Sequence, residues 1–359
     1  MSVSIKSIGT AVPEFQIDQK SVFEFMAKAH ELEGAEKTRL QALYRASAIK
    51  SRHSVVPDYG TLDKAQWQLY PANERLCPFP TTKERNELYR KKALPLAISA
   101  VNDAVKPQEL KNVTHLISVS CTGLYAPGLD IDLIEALGLD AETERTCINY
   151  MGCYAAITAL KSANAICKAD PSAQVLIVCV ELCTIHFQKE SDENNLIANA
   201  IFSDGAAAAL ISSEESEQIQ LNIDGFLSRL FPSGKDEMAW NIGNTGFEMK
   251  LTTYVPDLIE SGIDKLLKDL GAKNADLFAV HPGGKRILDV VEKSLNLDRS
   301  QNAFAHKVLR NYGNMSSPTI LFVLKMLLDD LQKEDKGKTV AAIAFGPGLT
   351  IETAKFRVG

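Results

Sequence analysis

The segment QVLIVCV, residues 174–180, is an almost unbroken apolar run, and THLISVS at 114–120 is a similar one. Alternating apolar and polar residues indicate a strand with one solvated face, whereas continuous Val, Ile and Leu indicate a strand covered on both faces. Between the two runs, residues 153–168 have the length and composition of a helix. The order strand, helix, strand predicts an α/β fold built on a buried sheet.

The same order of segments recurs later in the chain. Three segments match it: ADLFAV at 275–280 as a strand, residues 318–331 as a helix, and TVAAIAF at 339–345 as a strand. Both of these strands end at turns that contain glycine. A mostly polar segment, SEESEQIQL, lies near residues 213–222 between the two sets. We therefore predict two similar halves, residues 1–215 and 216–359, related by duplication.

The residues before these segments are less regular. We expect, in order, a strand over 3–13, helices over 22–32 and 36–48, irregular chain over 57–80, and a helix over 87–105. Pro95 lacks a backbone N–H group and should either kink the last of these helices or begin a second one.

Composition excludes several classes of protein. The 359 residues are 45% hydrophobic and 23% charged, which is the balance of a globular chain. A net charge of −6 argues against a surface that neutralises nucleic-acid phosphates. The N-terminus lacks the apolar stretch of a signal peptide, and no run reaches the ~18 apolar residues that span a bilayer. We expect a cytoplasmic protein that binds neither nucleic acid nor membranes.

The chain has seven cysteines, an odd number that cannot pair off completely. Most lie in apolar segments, which predicts small buried side chains. No Cys-x-x-Cys pair is matched by a second pair or by spaced histidines, so we expect no metal site. These features together indicate a reducing compartment.

Cys153 lies in INYMGCYAAITAL, residues 148–160, and is followed by small and apolar residues with helix potential. This pattern places its sulfur at the N-terminus of a buried helix, where free N–H groups favour the thiolate. Cys153 is therefore a candidate nucleophile. A core cysteine beside a tight turn fits the same segment as well.

Two further segments carry candidate catalytic residues. His281 ends the strand in FAVHPGGKRILD, and the Pro-Gly-Gly turn behind it lets the backbone approach a ligand. Asn314 lies in the loop of NYGNMSSPTILFVL, before a helix that Pro318 can start. Taken singly, a packed histidine and a capping loop account for these segments equally.

A thiolate, an imidazole and a carboxamide together suffice for acyl transfer with carbon–carbon bond formation. The thiolate accepts an acyl group from a thioester, and His and Asn N–H groups hold the enolate oxygen that forms when a malonyl unit loses CO2. The same residue types, in the order Cys, His, Asn, also serve a cysteine protease. Cys153 lies in mid-chain without the segment typical of papain-like enzymes, which argues against that alternative.

Five blocks of sequence resemble the type III polyketide synthases, the family of chalcone synthase, over nearly the whole chain. They are GCYA at Cys153, FSDGAAAAL from Phe202, HPGGKRILDVVE from His281, YGNMSSPTILFVL from Tyr312 and FGPGLTIET from Phe345. The resemblance implies a duplicated, thiolase-like α/β/α/β/α layered fold. It also implies a homodimer that uses malonyl-CoA and an acyl-CoA starter, with no cofactor and no carrier protein.

The resemblance assigns roles to individual residues. Cys153 would carry the acyl group, while His281 and Asn314 would assist decarboxylation and His281 would keep Cys153 ionised as an ion pair. Phe202 matches the first of two gatekeeping phenylalanines, and Met249 stands at the second, a flexible thioether in place of a ring. Five positions match the pocket that shapes the product: Cys121, Ala126, Cys183, His186 and Ser316.

The resemblance also has implications for the entrance at which coenzyme A binds and for the shape of the pocket. Arg39 and Arg45 lie close to the family's basic cluster, so we expect them to meet the phosphates of coenzyme A. Ala126 stands where plant members carry a methionine that reaches into the partner's cavity, and His186 stands where a small hydroxyl residue is usual. This reshaped cavity favours a pyrone, a resorcinol or a similar aromatic product over a chalcone. The bond between Ala126 and Pro127 matches one that is cis in the family, and we expect it to be cis here.

Two other functions stay open at this point. An enzyme similar to ketoacyl-acyl-carrier-protein synthase III has the same Cys, His and Asn set but takes malonyl from a carrier protein. The FGPGLTIET and NMSSP blocks favour the polyketide synthase. A non-catalytic acyl-binding module is the alternative from another class, and it would not need all three residues intact.

Overall fold

The computed structural model describes residues 2–73, 75–252 and 255–359. Its strands are β1 (Ser4–Ala11), β2 (Phe15–Asp18), β3 (Ser51–Ser54), β4 (His115–Ser120), β5 (Glu144–Asn149), β6 (Gln174–Leu182), β7 (Asp204–Ser212), β8 (Leu221–Leu230), β9 (Met238–Gly243), β10 (Gly246–Leu251), β11 (Leu277–Val280), β12 (Thr339–Gly346) and β13 (Thr350–Val358). Its α-helices are α1 (Gln19–Ala29), α2 (Gly34–Ala46), α3 (Thr82–Ala104), α4 (Leu129–Leu137), α5 (Ala155–Ala169), α6 (Glu193–Ile201), α7 (Val255–Asp269), α8 (Lys285–Leu295), α9 (Ala303–Tyr312) and α10 (Thr319–Asp330). The fold is therefore of the predicted α/β class.

Among the described residues, nine strands form one mixed sheet in the order β11-β12-β13-β8-β1-β7-β6-β4-β5. In the N-terminal half, β1 pairs antiparallel with β7, β7 antiparallel with β6, and β6 parallel with β4. In the C-terminal half, β8, β13, β12 and β11 repeat these pairings in the same sequence. The halves meet where β1 pairs antiparallel with β8. The repeated strand order confirms that the fold is duplicated.

Two helices lie between the halves. The helix α5 packs against β6 and β7 of the N-terminal half and against β13 of the C-terminal half. The helix α10 packs against β11 and β12, and also against β1 and β7. On the outside, α3 covers β1, β7 and β6, and α7 packs against β8 and β13. Helices and sheet thus alternate in layers, as the resemblance implies, and the segments that lead into α5 and α10 meet between the halves.

The structure confirms most of the predicted segments and corrects one. The strands predicted at 114–120, 174–180 and 339–345 are β4, β6 and β12. The helix predicted over 87–105 begins earlier, because Thr81 and Glu84 form a capping box at its N-terminus. It continues through Pro95, so the expectation that Pro95 could begin a second helix is wrong.

The hairpin of β9 and β10 is one of several elements without a predicted counterpart. Met238, Trp240 and Ile242 alternate with smaller or polar residues along β9. This alternation is the period-two signal of a strand, and it could have identified the hairpin from sequence. The omission matters because β9 and β10 line the cavity described below.

Candidate active site

Cys153 lies in a short 3-10 turn, Gly152–Tyr154, directly before α5. Gly152 has a φ of +73°, and a Cβ atom there would lie 2.6 Å from Cδ of Pro347. Only glycine fits this position, because any other residue would strain the backbone and collide with the proline ring. The turn places the Cys153 sulfur at the N-terminal end of α5, as the sequence predicts.

His281 follows β11 directly, at the carboxyl end of that strand. Its backbone N–H donates to the carbonyl of Ile343 on the parallel neighbour β12, at 2.8 Å. Gly283 and Gly284 come next, and both line the same cavity as the His281 side chain. The imidazole is buried, and neither ring nitrogen has a hydrogen-bond partner among the residues that the structure describes. His281 is therefore positioned by its backbone, while its ring keeps both nitrogens unengaged.

Asn314 lies between α9 and α10, after Gly313, whose φ of +72° ends α9. Its Oδ1 atom accepts a hydrogen bond from the backbone N–H of Ser316 at 2.8 Å. Because a backbone N–H needs an acceptor, this bond fixes the orientation of the carboxamide. The Nδ2 group then faces the carbonyl of Gly283 at 3.3 Å and lies 4.0 Å from the sulfur of Cys153. The loop thus presents an N–H donor beside the thiol.

The strand β3 supports the segment of the N-terminal half that pairs with the Asn314 loop. The backbone N–H of Ser203 donates to the carbonyl of Asn314 at 2.9 Å. The Ser203 hydroxyl in turn accepts from the N–H of His53 at 3.0 Å and donates to its carbonyl at 2.9 Å. The guanidinium of Arg52 donates to the carbonyl of Phe202. All four residues of β3 are buried, so this polar strand serves as an internal support for the site.

Cys153, His281 and Asn314 all line one cavity of about 480 Å³. Six other residues that the sequence singled out line it as well: Cys121, Cys183, His186, Phe202, Met249 and Ser316. The hydroxyl of Ser316 lies 3.5 Å from the Cys153 sulfur and 3.8 Å from the Cys121 sulfur. The structure therefore brings nine of the predicted residues to a single cavity of the size that binds small molecules.

Three predicted residues lie elsewhere. Arg39 and Arg45 are exposed on α2, whereas Leu43 and Ala46 of the same helix line the cavity. Arg39 lies one turn N-terminal to Leu43 on the same face of the helix, whereas Arg45 lies on a different face. Neither arginine lines the cavity, and their contact with the phosphates of coenzyme A stays a prediction. Ala126 is exposed on the loop between β4 and α4, outside its own chain's cavity, and its bond to the following proline is cis, as predicted.

Burial opposes ionisation of the candidate nucleophile and of the candidate base. It raises the pKa of the Cys153 thiol to about 11 and lowers the pKa of His281 to about 3. Desolvation disfavours both charged forms, and here it outweighs the helix N-terminus from which a thiolate was expected. Burial thus favours the neutral forms of both groups, and the ion pair of Cys153 with His281 stays a prediction.

His186 lines the cavity, but both of its ring nitrogens are engaged. Its Nδ1 atom accepts from the backbone N–H of Phe247 at 3.1 Å, so Nε2 carries the proton and donates to the carbonyl of Thr122 at 2.7 Å. Burial lowers its pKa to about 3. The ring also stacks on Phe247, with 4.0 Å between centroids and 8° between planes. His186 therefore fixes β10 and fills space, and it is not available as an acid or a base.

Glu181 is a residue of the site that the sequence analysis missed. It lies in β6, and its carboxylate accepts hydrogen bonds from the Ser317 hydroxyl at 2.6 Å, the Thr122 hydroxyl at 2.8 Å and the Cys121 backbone N–H at 3.0 Å. Burial raises its pKa. A single acidic residue inside the apolar run QVLIVCVEL was the available signal, because a buried carboxylate needs dedicated partners. Glu181 joins the segment after β4 to the segment before α10, and both border the cavity.

The seven cysteines are free. The expectation that those outside the cavity are core residues is confirmed for Cys167 and Cys179 and wrong for Cys77 and Cys147, which are exposed. Cys147 lies on β5, an edge strand of the sheet, which explains its exposure.

Within the described ranges, no group of three or more His, Cys, Asp or Glu side chains is arranged to hold a metal ion. In the same part of the chain, no helix has both the length and the apolar character needed to cross a membrane.

Both halves of the chain match models of one protein family. Residues 2–215 match the N-terminal domain of the chalcone and stilbene synthases, and residues 222–358 match the C-terminal domain. The chain therefore belongs to the chalcone and stilbene synthase family, the type III polyketide synthases, which are condensing acyltransferases.

Similarity to individual proteins supports this family assignment. The chain is 30% identical over 368 residues to "Probable polyketide synthase 1" of Dictyostelium discoideum, covering 97% of this chain but only 11% of that protein. It is 28% identical to "Alpha-pyrone synthesis polyketide synthase-like Pks18" of Mycobacterium tuberculosis, covering 99% of this chain and 91% of that protein. Among solved structures, it is similar to PKS-I from the brown alga Ectocarpus siliculosus, with a TM-score of 0.90, 30% identity and coverage of 100% of this chain and 98% of that one.

Proposed function

We propose that this chain loads an acyl group from an acyl-CoA starter onto Cys153 and extends it by decarboxylative condensation with malonyl-CoA. One observation carries the proposal. A thiol from the N-terminal half and an imidazole and a carboxamide from the C-terminal half line one cavity, although they are far apart in sequence. That combination supplies a nucleophile, a base and a donor for a developing oxyanion.

Loading requires Cys153 to lose its proton. The neutral imidazole of His281 accepts the thiol proton as the sulfur attacks the thioester carbonyl. The carbon–sulfur bond to coenzyme A then breaks, and the imidazolium returns the proton to the departing coenzyme A thiolate. The acyl group remains on Cys153 as a new thioester. Burial favours the neutral forms of both groups, so a route that begins from them needs no separated charges in the free enzyme.

Extension uses the same residues in a second role. Malonyl-CoA loses CO2, and the electron pair of the broken carbon–carbon bond forms an enolate. The Nδ2 group of Asn314 and the protonated nitrogen of His281 donate hydrogen bonds to the enolate oxygen. The enolate carbon attacks the acyl carbonyl on Cys153, so a carbon–carbon bond forms and the carbon–sulfur bond breaks. Cys153 leaves as a thiolate and takes up one proton from solvent, the proton that decarboxylation consumes, which restores the thiol.

We place the phosphates of coenzyme A against Lys285 and Arg286. Both line the cavity at the start of α8, where Arg286 is exposed and Lys285 is half-buried. Their present partners are carboxylates, Asp289 at 2.5 Å and Asp257 at 3.5 Å. A phosphate can replace such a surface partner at little cost, because exposed ion pairs contribute little stability. Unlike Arg39 and Arg45, these two cations line the cavity itself.

The remaining features of the proposal follow from the family and from the chain. We infer a homodimer, which the exposed position of Ala126 supports, and two halves divided near residue 215, which the repeated strand order supports. We infer a cytoplasmic enzyme, since seven unpaired cysteines suit a reducing compartment. We also infer, from the family alone, that the enzyme uses no cofactor. Met249 and His186 reshape the cavity, and we infer a pyrone, a resorcinol or a similar aromatic product.

The test is a product analysis. The purified chain is incubated with malonyl-CoA and short, aromatic or long acyl-CoA starters, without any carrier protein, and the products are identified by mass spectrometry. We expect starters lengthened by whole ketide units and released as cyclised products. Extension that occurs only when malonyl is attached to a carrier protein would instead identify a ketoacyl synthase. Binding of acyl-CoA without any extension would identify a non-catalytic module.

A further inference from the structure

A short 3-10 turn, Cys183–His186, follows β6 and carries two residues of the active-site cavity, Cys183 and His186. The last three carbonyl groups of the turn each accept a hydrogen bond from a buried side chain outside it. These bonds run from Tyr59 to Thr184 at 2.5 Å, from Arg85 to Ile185, and from Gln188 to His186 at 3.1 Å. A short turn leaves its last carbonyls without internal partners, so the three side chains hold it in place.

Arg85, near the start of α3, is the most deeply buried of these three donors. Its Nε group donates to the carbonyl of Pro80 at 3.0 Å, and its Cζ atom lies 4.8 Å from the ring centroid of Phe79. Its Nη2 group has no hydrogen-bond partner among the residues that the structure describes. Carbonyls and rings compensate the burial of a cation less fully than a carboxylate does. The geometry that Arg85 fixes therefore explains its position better than stability does.

Arg85 and Gln188 also hold the start of β10 against this turn. Both side chains pack on Gly246, where a Cβ atom would lie 3.0 Å from Cδ of Arg85 and 3.0 Å from Nε2 of Gln188. The same Nε2 group lies 3.3 Å from the carbonyl of Phe247. Phe247 in turn donates its N–H to the ring of His186 and stacks on that ring. The turn and the start of β10 therefore form one unit, held from behind the cavity.

Neither Arg85 nor Gln188 lines the active-site cavity, so both act on it through the turn. We propose that Arg85 is a positioning residue that fixes the turn carrying Cys183 and His186, and so sets how strictly the cavity discriminates between acyl starters. A pocket discriminates by the contacts that its walls offer, and those contacts change when a wall moves. The inference rests on the proposed function for the acyl-CoA substrate, but the hold on the turn can be measured without catalysis.

Alkylation of Cys183 by iodoacetamide, followed at peptide level by mass spectrometry, reports on the turn. Arg85→Met keeps a long apolar side chain but removes the donor to the carbonyl of Ile185. We expect Cys183 to react about tenfold faster in this variant, because a carbonyl without its buried donor makes local opening easier. Cys179, buried in β6 before the turn, should react no faster than in the parent. An unchanged rate at Cys183, or an equal rise at Cys179, would overturn the proposal.

A second variant and a matched control complete this test. Gln188→Met removes the donor to the next carbonyl of the turn and should also raise the rate at Cys183, so the outcome does not depend on the folding of Arg85→Met alone. Lys83→Met alters an exposed residue of the same helix and should leave the rate at its parental value. If Lys83→Met raises the rate as much as Arg85→Met does, the helix and not the turn has loosened, and the proposal is wrong.

The same variants are then assayed with malonyl-CoA and with acetyl-, hexanoyl- or benzoyl-CoA as starter. The range of kcat/KM across the starters should narrow at least about threefold in Arg85→Met, because a loosened turn discriminates less. Decarboxylation of malonyl-CoA alone, which we assign to His281 and Asn314, should keep its parental rate. An active parent whose starter preferences are unchanged in Arg85→Met, or an equal loss of decarboxylation and extension, contradicts the inference. A parent that extends no starter contradicts the proposed function, and alkylation of Cys183 then still decides whether Arg85 holds the turn.

Discussion

Phe202 and Asn314 pair as an isolated parallel β-bridge that joins the residue after α6 to the loop before α10. Two backbone hydrogen bonds of 2.9 Å make this bridge, from the N–H of Ser203 to the carbonyl of Asn314 and from the N–H of Asn314 to the carbonyl of Ile201. Phe202 belongs to the N-terminal half and Asn314 to the C-terminal half. The carboxamide therefore reaches its place beside the Cys153 sulfur only when the two halves pack together.

The first prediction concerns the donor that Asn314 provides. Asn314→Asp keeps an oxygen that can accept from the Ser316 N–H and so preserves the loop, but it removes the Nδ2 donor. We expect decarboxylation of malonyl-CoA to fall by about 100- to 1000-fold, the usual effect of losing one oxyanion donor. Release of CO2 measures this step directly. A variant that folds normally and keeps the parental rate would remove Asn314 from the proposed mechanism.

The second prediction concerns the pH dependence of Cys153 alkylation in the free enzyme. Because burial raises the pKa of this thiol to about 11, the thiolate fraction should grow about tenfold for each pH unit up to pH 10. The rate of reaction with iodoacetamide, followed at peptide level by mass spectrometry, should rise accordingly. The exposed thiol of Cys77 serves as an internal reference for the reagent. A plateau near neutral pH would instead reveal a thiolate paired with protonated His281.

The third prediction concerns the stability that Glu181 provides. Glu181→Ala leaves the hydroxyls of Ser317 and Thr122 and the N–H of Cys121 without their buried acceptor. An unpaired buried donor costs about 1–3 kcal/mol, so the free energy of unfolding should fall by about 3 kcal/mol or more. Urea denaturation measures this change. Glu193→Ala, on the exposed start of α6, is the control and should leave stability nearly unchanged.

The fourth prediction concerns the cations at the start of α8. Lys285→Glu/Arg286→Glu should raise KM for malonyl-CoA at least about tenfold with little change in kcat, because charge-assisted bonds to phosphate are lost. KM for the malonyl thioester of N-acetylcysteamine, which has no phosphates, should not change. Arg39→Glu/Arg45→Glu is the matched control, since both arginines lie outside the cavity. Equal effects on both thioesters, or a KM effect in the control alone, would show that the phosphates are bound elsewhere.

Much of the candidate site could be predicted because its signals are local in sequence. Cys153 precedes a run of small helical residues, His281 ends an apolar strand before two glycines, and Asn314 lies in a loop before a proline-initiated helix. Each signal depends on a few neighbouring residues, so one segment is enough to detect it. The duplicated fold was visible for the same reason, since the repeated strands are apolar on both faces.

What could not be predicted depends on contacts between distant segments. Which cations line the cavity depends on such contacts, because Arg39 and Arg45 carry the right charge but do not line it, whereas Lys285 and Arg286 do. The Cys153 thiol lies at a helix N-terminus as expected, yet its pKa is set by desolvation, which depends on everything packed around it.

The central claim is that Cys153 carries the acyl chain during extension. Its most direct test is mass spectrometry of the intact protein and of the products after incubation with an acyl-CoA starter and malonyl-CoA, for the parent, Cys153→Ala and the control Cys183→Ala. Cys183 lines the same cavity but is not paired with Asn314 in the described structure. We predict an acyl adduct and extended products for the parent and for Cys183→Ala, and neither for Cys153→Ala. Full product formation by Cys153→Ala would contradict the account.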